Sequence, residues 1–214
     1  GGGSGKGQSD ILGGLVDFAF SDVPLKTGRW EEARRRGGIL QFPVILGAVA
    51  VVYNVPGIPE DVDLKLSGEV VARIYLGEIE YWDDDAIKQL NPSVAEKLPH
   101  KRIIVVHRAD ASGTTSIFTR WLELSSQEWA SEVGSGKTIK WPVDATGRGI
   151  GQQGNAGVAS AVKSTPYSIG YVELNYVEEY GLRVAEVKNE AGYFVKPTEE
   201  GVRETVRNAI AEIL

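Results

Sequence analysis

The sequence contains no cysteine, so disulfides, thiol nucleophiles and Cys-ligated zinc are excluded. Histidine is nearly absent. His100 and His107 are the only two, too few for a multi-histidine metal site. Methionine is missing altogether, even at position 1, and the chain closes on the apolar pair Ile213-Leu214. Both features are expected of a piece of a processed or longer product, from which a signal peptide would already be gone. No apolar run approaches the ~18 residues of a membrane span. A basic surplus is lacking too: 23 Lys and Arg against 29 Asp and Glu give a formal charge of −6, which argues against a nucleic-acid partner. The complete Walker sequence, Gly-x-x-x-x-Gly-Lys-Ser/Thr, does not occur, which disfavours an NTPase.

What remains is an ordinary globular composition of 214 residues, 42% hydrophobic and 24% charged, enough for one large domain or two small lobes. Strand-like and helix-like runs alternate, which predicts the α/β class. Val16 to Asp22 reads as a short buried strand. A charged helix is expected from Arg29 to Arg36, closed by Gly37-Gly38. Ile39 to Asn54 is the most apolar stretch and, though divided at Pro43, predicts strands buried on both faces. Helical spacing follows from Ser67 to Leu76, stopped at Gly77. Asp83-Asp84-Asp85 reads as an N-cap and dipole-matched first turn, not as a metal site. Ser125 and Glu128 have capping-box spacing for a helix through Val133. Thr138 to Val143 is strand-like, Val158 to Lys163 helical, Ser168 to Leu174 a strand, and a last helix is expected from Thr198 to Leu214. The sequence has no internal repeat.

Three Gly- or Ser/Thr-rich turns lead into helices: Gly3 to Gly7, Asp110 to Thr115 and Gly147 to Gly157. From composition alone, the first reads slightly better as a flexible linker. The second is the most informative. A β-like run, Arg102 to Val106, leads through His107-Arg108-Ala109-Asp110-Ala111-Ser112-Gly113-Thr114-Thr115 into the helix-like Ser116 to Leu122. A strand that turns into a helix at Ser-Gly-Thr presents free N–H groups and the positive end of a helix dipole, a geometry suited to an anion. Arg108 adds a two-pronged charged donor, and Ser112 and Thr114 add hydroxyls. Arg108 and Asp110 stand two apart and are able to pair, either as a structural salt bridge or as an oriented anion-binding arginine.

A carboxylate beside an anion site looks wrong by Coulomb's law, yet Asp22 makes sense if the ligand carries its own proton. Phosphate near neutral pH does, and a carboxylate accepts that O–H; sulfate has none to give and would leave the buried charge unpaired, at a cost of several kcal/mol by the usual estimates. The plainer reading of Asp22 is a turn cap before Pro24. A serine hydrolase would need a base near Ser112. His107 is the only candidate, and it reads instead as a strand residue facing away from Arg108.

Gly3-Ser4-Gly5-Lys6-Gly7, Val16 to Leu25, and Arg108 to Thr115 resemble the high-affinity phosphate-binding proteins of bacterial and archaeal phosphate ABC transporters. Gln41-Phe42-Pro43, Leu76 to Ile79 with Trp82-Asp83-Asp84, Lys140-Trp141-Pro142, Gly154-Asn155-Ala156-Gly157 and Ser168 to Glu173 match in the same order. The resemblance reverses the linker reading of residues 3–7. It implies a two-lobed, Venus-flytrap periplasmic-binding-protein fold, with a partial first lobe in residues 1–45 and a largely complete second lobe in residues 46–214. The family's opening phosphate-binding strand and closing first-lobe segment are not in this sequence. The resemblance also implies a role for each matched residue. Ser4 is a donor to phosphate, Asp22 the acceptor of the phosphate proton, and Arg108 the charged ligand, held by Asp110. Ser112, Gly113 N–H and Thr114 are helix-terminus donors. It implies a non-enzymatic, monomeric, periplasmic or extracellular protein, with a possible membrane anchor outside this sequence. That protein needs no cofactor or metal and delivers inorganic phosphate to a membrane permease. The alternatives are another tetrahedral oxyanion, arsenate or sulfate, or a phosphoester hydrolase.

Overall fold

The computed structural model of the protein describes residues 2–213, with side chains through Arg207. The glycine-rich start is a helix, α1 (Ser4–Leu12), although such composition has little intrinsic helix preference. Tertiary contact supplies what propensity does not: Ser4, Gly5, Gln8 and Leu12 are buried, and the Gly5 N–H donates to Ala111 O at 2.9 Å. The strand expected over residues 16–22 does not form; residues 13–26 are irregular, with Phe18 and Phe20 exposed. Next comes α2 (Thr27–Arg35), closed at Gly37 and Gly38, which take φ of +102° and +89°, a conformation open to glycine.

Only the end of the long apolar stretch becomes a strand, β1 (Val49–Asn54). Residues 39–48 form no strand, and Leu40, Phe42 and Ile45 face solvent, against the expectation of burial on both faces. Strand composition yields a strand only where a neighbouring backbone completes its hydrogen bonds.

The rest follows the alternation more closely. After β2 (Lys65–Leu66), α3 (Gly68–Leu76) starts at Ser67, which accepts from Val70 N–H, and stops at Gly77 in the left-handed region. Asp84 caps α4 (Asp85–Leu90) by accepting from Ala86 N–H, as its reading as a cap requires. Then come β3 (Ile104–Arg108), α5 (Gly113–Ser125) and α6 (Gln127–Glu132). The cap of α6 is Ser126, one residue later than expected, and its partner is Trp129 N–H. The strand expected over 138–143 is replaced by irregular chain and a 3-10 turn at Pro142–Thr146, opened by the proline. The remaining elements are β4 (Gly149–Gln152), α7 (Gly154–Ser164), β5 (Ser168–Glu173), α8 (Leu174–Tyr180), β6 (Arg183–Val184), β7 (Glu186–Lys188), β8 (Phe194–Val195) and α9 (Glu199–Ile213).

Five strands form one mixed sheet in the order β4-β3-β5-β1-β6, and β2-β7-β8 form a small second one. Strands β4, β3 and β5 are parallel, so their carboxyl ends meet at one edge. Alternation along β1 sends Val51 and Tyr53 into a core with Trp82, Trp129 and Trp141, and sends Ala50 and Val52 into a second core with Val158 and Val162 of α7. Helix α7 lies so close to β5 that a Cβ at Gly170 would sit 2.8 Å from Val162 Cγ2. Full burial of each such aliphatic side chain is worth roughly 1.5–3 kcal/mol. Both faces of the sheet are therefore covered, which fixes the edge where its parallel strands end.

Candidate anion-binding site

Arg108 is the last residue of β3 and is buried at that edge. Its Nε and one terminal nitrogen donate to the two oxygens of Asp110 at 2.7 and 2.6 Å, a bidentate fork. Hydrogen bonding from Arg108 holds the Asp110 carboxyl below the usual carboxylate range, and Gly154 N–H adds to this at 3.2 Å. Behind the arginine, its own N–H donates to the Tyr171 hydroxyl, which also pairs with Thr115 Oγ1 at 2.7 Å. Burial pushes the Tyr171 phenol up to about 12, so this support stays neutral.

Three helix N-termini converge around Arg108. Gly3 at the head of α1 and Gln153 at the head of α7 make no side-chain cap. Helix α5 has one: Ser112 is fully buried, and its hydroxyl oxygen accepts from Thr115 N–H at 3.0 Å. The cavity between them measures about 430 Å³; Gly3, Ser4, Asp22, Arg108, Asp110, Thr114, Gly154, Asn155 and Glu173 are among its lining. The structure thus brings Ser4, Asp22, Arg108, Asp110 and Thr114 together and sets Ser112 and Gly113 behind the wall. Gly113 is a point of close approach: a Cβ there would lie 2.3 Å from Ser4 Oγ and 2.5 Å from Asp22 Oδ2. Ser4 in turn donates to Asp22 Oδ2 at 3.1 Å. The irregular segment that carries Asp22 is tied to α1 by Gln8, which donates to Ser21 Oγ at 2.9 Å and Val23 O at 3.0 Å.

Two residues of the wall escaped sequence reasoning as site residues. Glu173 ends β5, and its Oε1 accepts from Thr114 Oγ1 at 3.4 Å. Asn155, in the first turn of α7, donates to Thr114 Oγ1 at 3.3 Å and accepts from Glu173 N–H at 3.4 Å. Burial raises the Glu173 carboxyl above the ordinary range, and the nearby Asp22 charge raises it further. The sequence signal was present, since both residues stand in motifs that carried the family resemblance. Nothing in the spacing ties positions 155 and 173 to position 114.

The arrangement suits binding more than hydrolysis. His107 turns away from Ser112: its Nε2 meets Asp144 Oδ1 at 2.8 Å and its ring stacks on Trp141. No group of three or more His, Cys, Asp or Glu residues able to hold a metal occurs among the described residues. One guanidinium faces three carboxyl groups, so an anion here relies on oriented N–H and O–H donors, and the carboxyls are positioned to accept any proton it carries.

The phosphate-binding protein PstS of Methanocaldococcus jannaschii is 53% identical over 214 residues, which is 100% of this chain and 55% of that protein. Its counterpart in Pasteurella multocida is 45% identical over 207 residues, 97% of this chain and 57% of that one. The chain thus spans little more than half the length of these relatives. An ABC-type phosphate transport receptor from Vibrio cholerae superposes with a TM-score of 0.58 at 19% identity, over 96% of this chain and 68% of that one, which shows a shared α/β fold. The model of the PBP superfamily domain matches residues 1–212, and the chain belongs to that family.

Proposed function

We propose that this chain forms most of the binding site of a protein that captures inorganic phosphate and delivers it to the permease of an ABC transporter. The observation that carries the reading is the convergence of three helix N-termini on one buried, carboxylate-oriented arginine. Arg108 supplies the charge, Ser4 and Thr114 supply neutral donors, and Gly113 allows the close approach of α5 to Ser4 and Asp22. Ser112 acts through its cap, which sets the first turn of α5. Asp22 accepts the ligand proton. Each hydrogen bond to a charged group is worth about 1.5–3 kcal/mol net of the hydration it replaces.

The relatives' names support the choice of phosphate. The Asp22 argument disfavours sulfate and does not separate phosphate from arsenate, which is protonated in the same way. Delivery to a permease implies a site in the periplasm or outside the cell.

Residues 1–45 belong to a first lobe and residues 46–214 to a second, with the cleft between them closing on the ligand. The exposed apolar side chains of residues 15–20 and 40–46 support this division, because further first-lobe chain would cover them. Titration calorimetry with phosphate tests the function. The reading requires saturable binding that Arg108→Ala abolishes; turnover of a chromogenic phosphate ester would favour hydrolysis instead.

A further inference from the structure

We propose that Lys137 is a positioning residue for Asp22, which it holds on the cavity wall through the side-chain amide of Gln8. The inference rests on the phosphate reading above and adds to it a residue that lies outside the cavity lining.

Asp22 stands in chain with no regular structure, so no helix or strand ladder holds it. Instead, one side chain grips the residues on either side of it. Gln8, on α1 and 3% exposed, donates from Nε2 to Ser21 Oγ at 2.9 Å and to Val23 O at 3.0 Å. The Ser21 hydroxyl gives its own proton to Val23 O at 2.6 Å, so both groups that face Gln8 Nε2 are acceptors. At the other end of the amide, Lys137 Nζ donates to Gln8 Oε1. An ammonium can donate but cannot accept. The amide therefore has one workable orientation of two. Turned over, its oxygen would face two acceptors and its NH2 would face the ammonium. Lys137 thus selects the orientation in which Gln8 holds residues 21 and 23.

The same lysine braces the opposite wall. It belongs to the irregular chain between α6 and the 3-10 turn, and its carbonyl accepts Ser112 N–H at 2.9 Å. Ser112 is the cap of α5. One residue therefore ties the start of α5 through its main chain and the Asp22 segment through its side chain. Without the ammonium, the buried Gln8 oxygen loses its donor and the amide is free to turn over. Ser21 and Val23 then loosen, while Arg108 and Thr114 keep their own partners. The loss falls on what Asp22 does for the ligand.

Two measurements decide it, on Lys137→Met, which keeps an apolar stem of similar length, and on Lys137→Arg, which keeps a charged donor. First, with no ligand present, NMR follows hydrogen exchange of the Gln8 side-chain amide and of the Asp22 and Val23 N–H groups, with the Val105 and Val106 N–H groups of β3 as the reference for global opening. The proposal requires protection in the parent, its selective loss in Lys137→Met and its return in Lys137→Arg. Equal protection in the parent and Lys137→Met, or a loss shared equally by β3, overturns it. Second, phosphate affinity is measured for each variant in the parent and in an Asp22→Asn background. Lys137→Met is expected to weaken binding about three- to tenfold in the parent, the worth of one net hydrogen bond, and to have no further effect in Asp22→Asn. Lys137→Arg recovers most of the affinity. A loss of the same size in both backgrounds overturns the proposal, because Lys137 would then act other than through Asp22. A parent that bound no phosphate would count against the phosphate reading, and the exchange measurement would still decide whether Lys137 holds the Asp22 segment.

Discussion

Ser4 and Asp22 grip each other in both directions: the Ser4 hydroxyl donates to Asp22 Oδ2 at 3.1 Å and accepts the Asp22 backbone N–H at 3.1 Å. This reciprocal bond joins the first turn of α1 to a segment with no regular structure of its own, and so fixes a carboxylate on the cavity wall.

The first prediction concerns that carboxylate. Asp22→Asn keeps an oxygen for Ser4 but removes the charge that an unprotonated anion would leave unpaired. Discrimination of phosphate over sulfate should fall at least about tenfold, equivalent to ~1.4 kcal/mol. Calorimetric titration of both anions measures it, and an unaltered ratio would show that Asp22 does not read the ligand proton.

Gly113→Ala is expected to damage the site without removing any charged group. The added Cβ would approach Ser4 Oγ and Asp22 Oδ2 at 2.3 and 2.5 Å, so the Ser4–Asp22 contact must open. Overpacking of this kind costs about 1–3 kcal/mol. Urea unfolding should show that loss and phosphate titration a weaker affinity; a variant equal to the parent in both would mean that α1 yields freely.

The Arg108–Asp110 fork should appear in the pH dependence of stability. The folded Asp110 carboxyl lies below its ordinary value, chiefly through the Arg108 hydrogen bonds. Its contribution is thus fully present above the unfolded value of about 3.9 and is lost as pH falls through the lower folded value. Asp110→Asn should cost roughly 1.5–3 kcal/mol at neutral pH and flatten that acid limb. Denaturant midpoints measured from neutral pH down to strongly acid pH test both effects. A parent-like acid limb in the variant would assign it to other carboxylates.

Arg148 makes a prediction about the scaffold. It is buried to 1% exposure, and its terminal nitrogens donate to Gly77 O at 2.8 Å and Ile103 O at 3.2 Å, with Ile79 O more distant at 3.4 Å. Arg148→Met strips these carbonyls of their donor and should lower stability by about 2–4 kcal/mol. A midpoint in urea that stayed level or rose would show that desolvating the guanidinium costs as much as its bonds return.

Much of the site was legible because it is local. The run from Arg108 to Thr115 carries the arginine, its carboxylate and a capped helix start within eight consecutive positions. The Gly3–Gly7 turn also proved to be a helix start on the same cavity, whereas the Gly147–Gly157 stretch first forms β4 and only then opens α7 there. Glu173 and Asn155 were not legible as site residues, because they reach Thr114 only through the parallel pairing of β5 with β3 and the packing of α7 over both. The errors in the fold share one cause. Residues 16–22 and 39–48 have strand composition, yet no strand among the described residues lies beside them to pair with. Residues 138–143 fail differently: Trp141 is buried as a strand residue would be, but Pro142 starts a 3-10 turn.

The most direct test of the central claim is calorimetric titration of inorganic phosphate into the parent protein and into Arg108→Ala. Saturable binding in the parent and none in the variant is the result expected of an anion held by a buried, Asp110-oriented arginine. Binding of equal strength in both would contradict the account, because it would place phosphate somewhere other than the cavity at the ends of β3, β4 and β5.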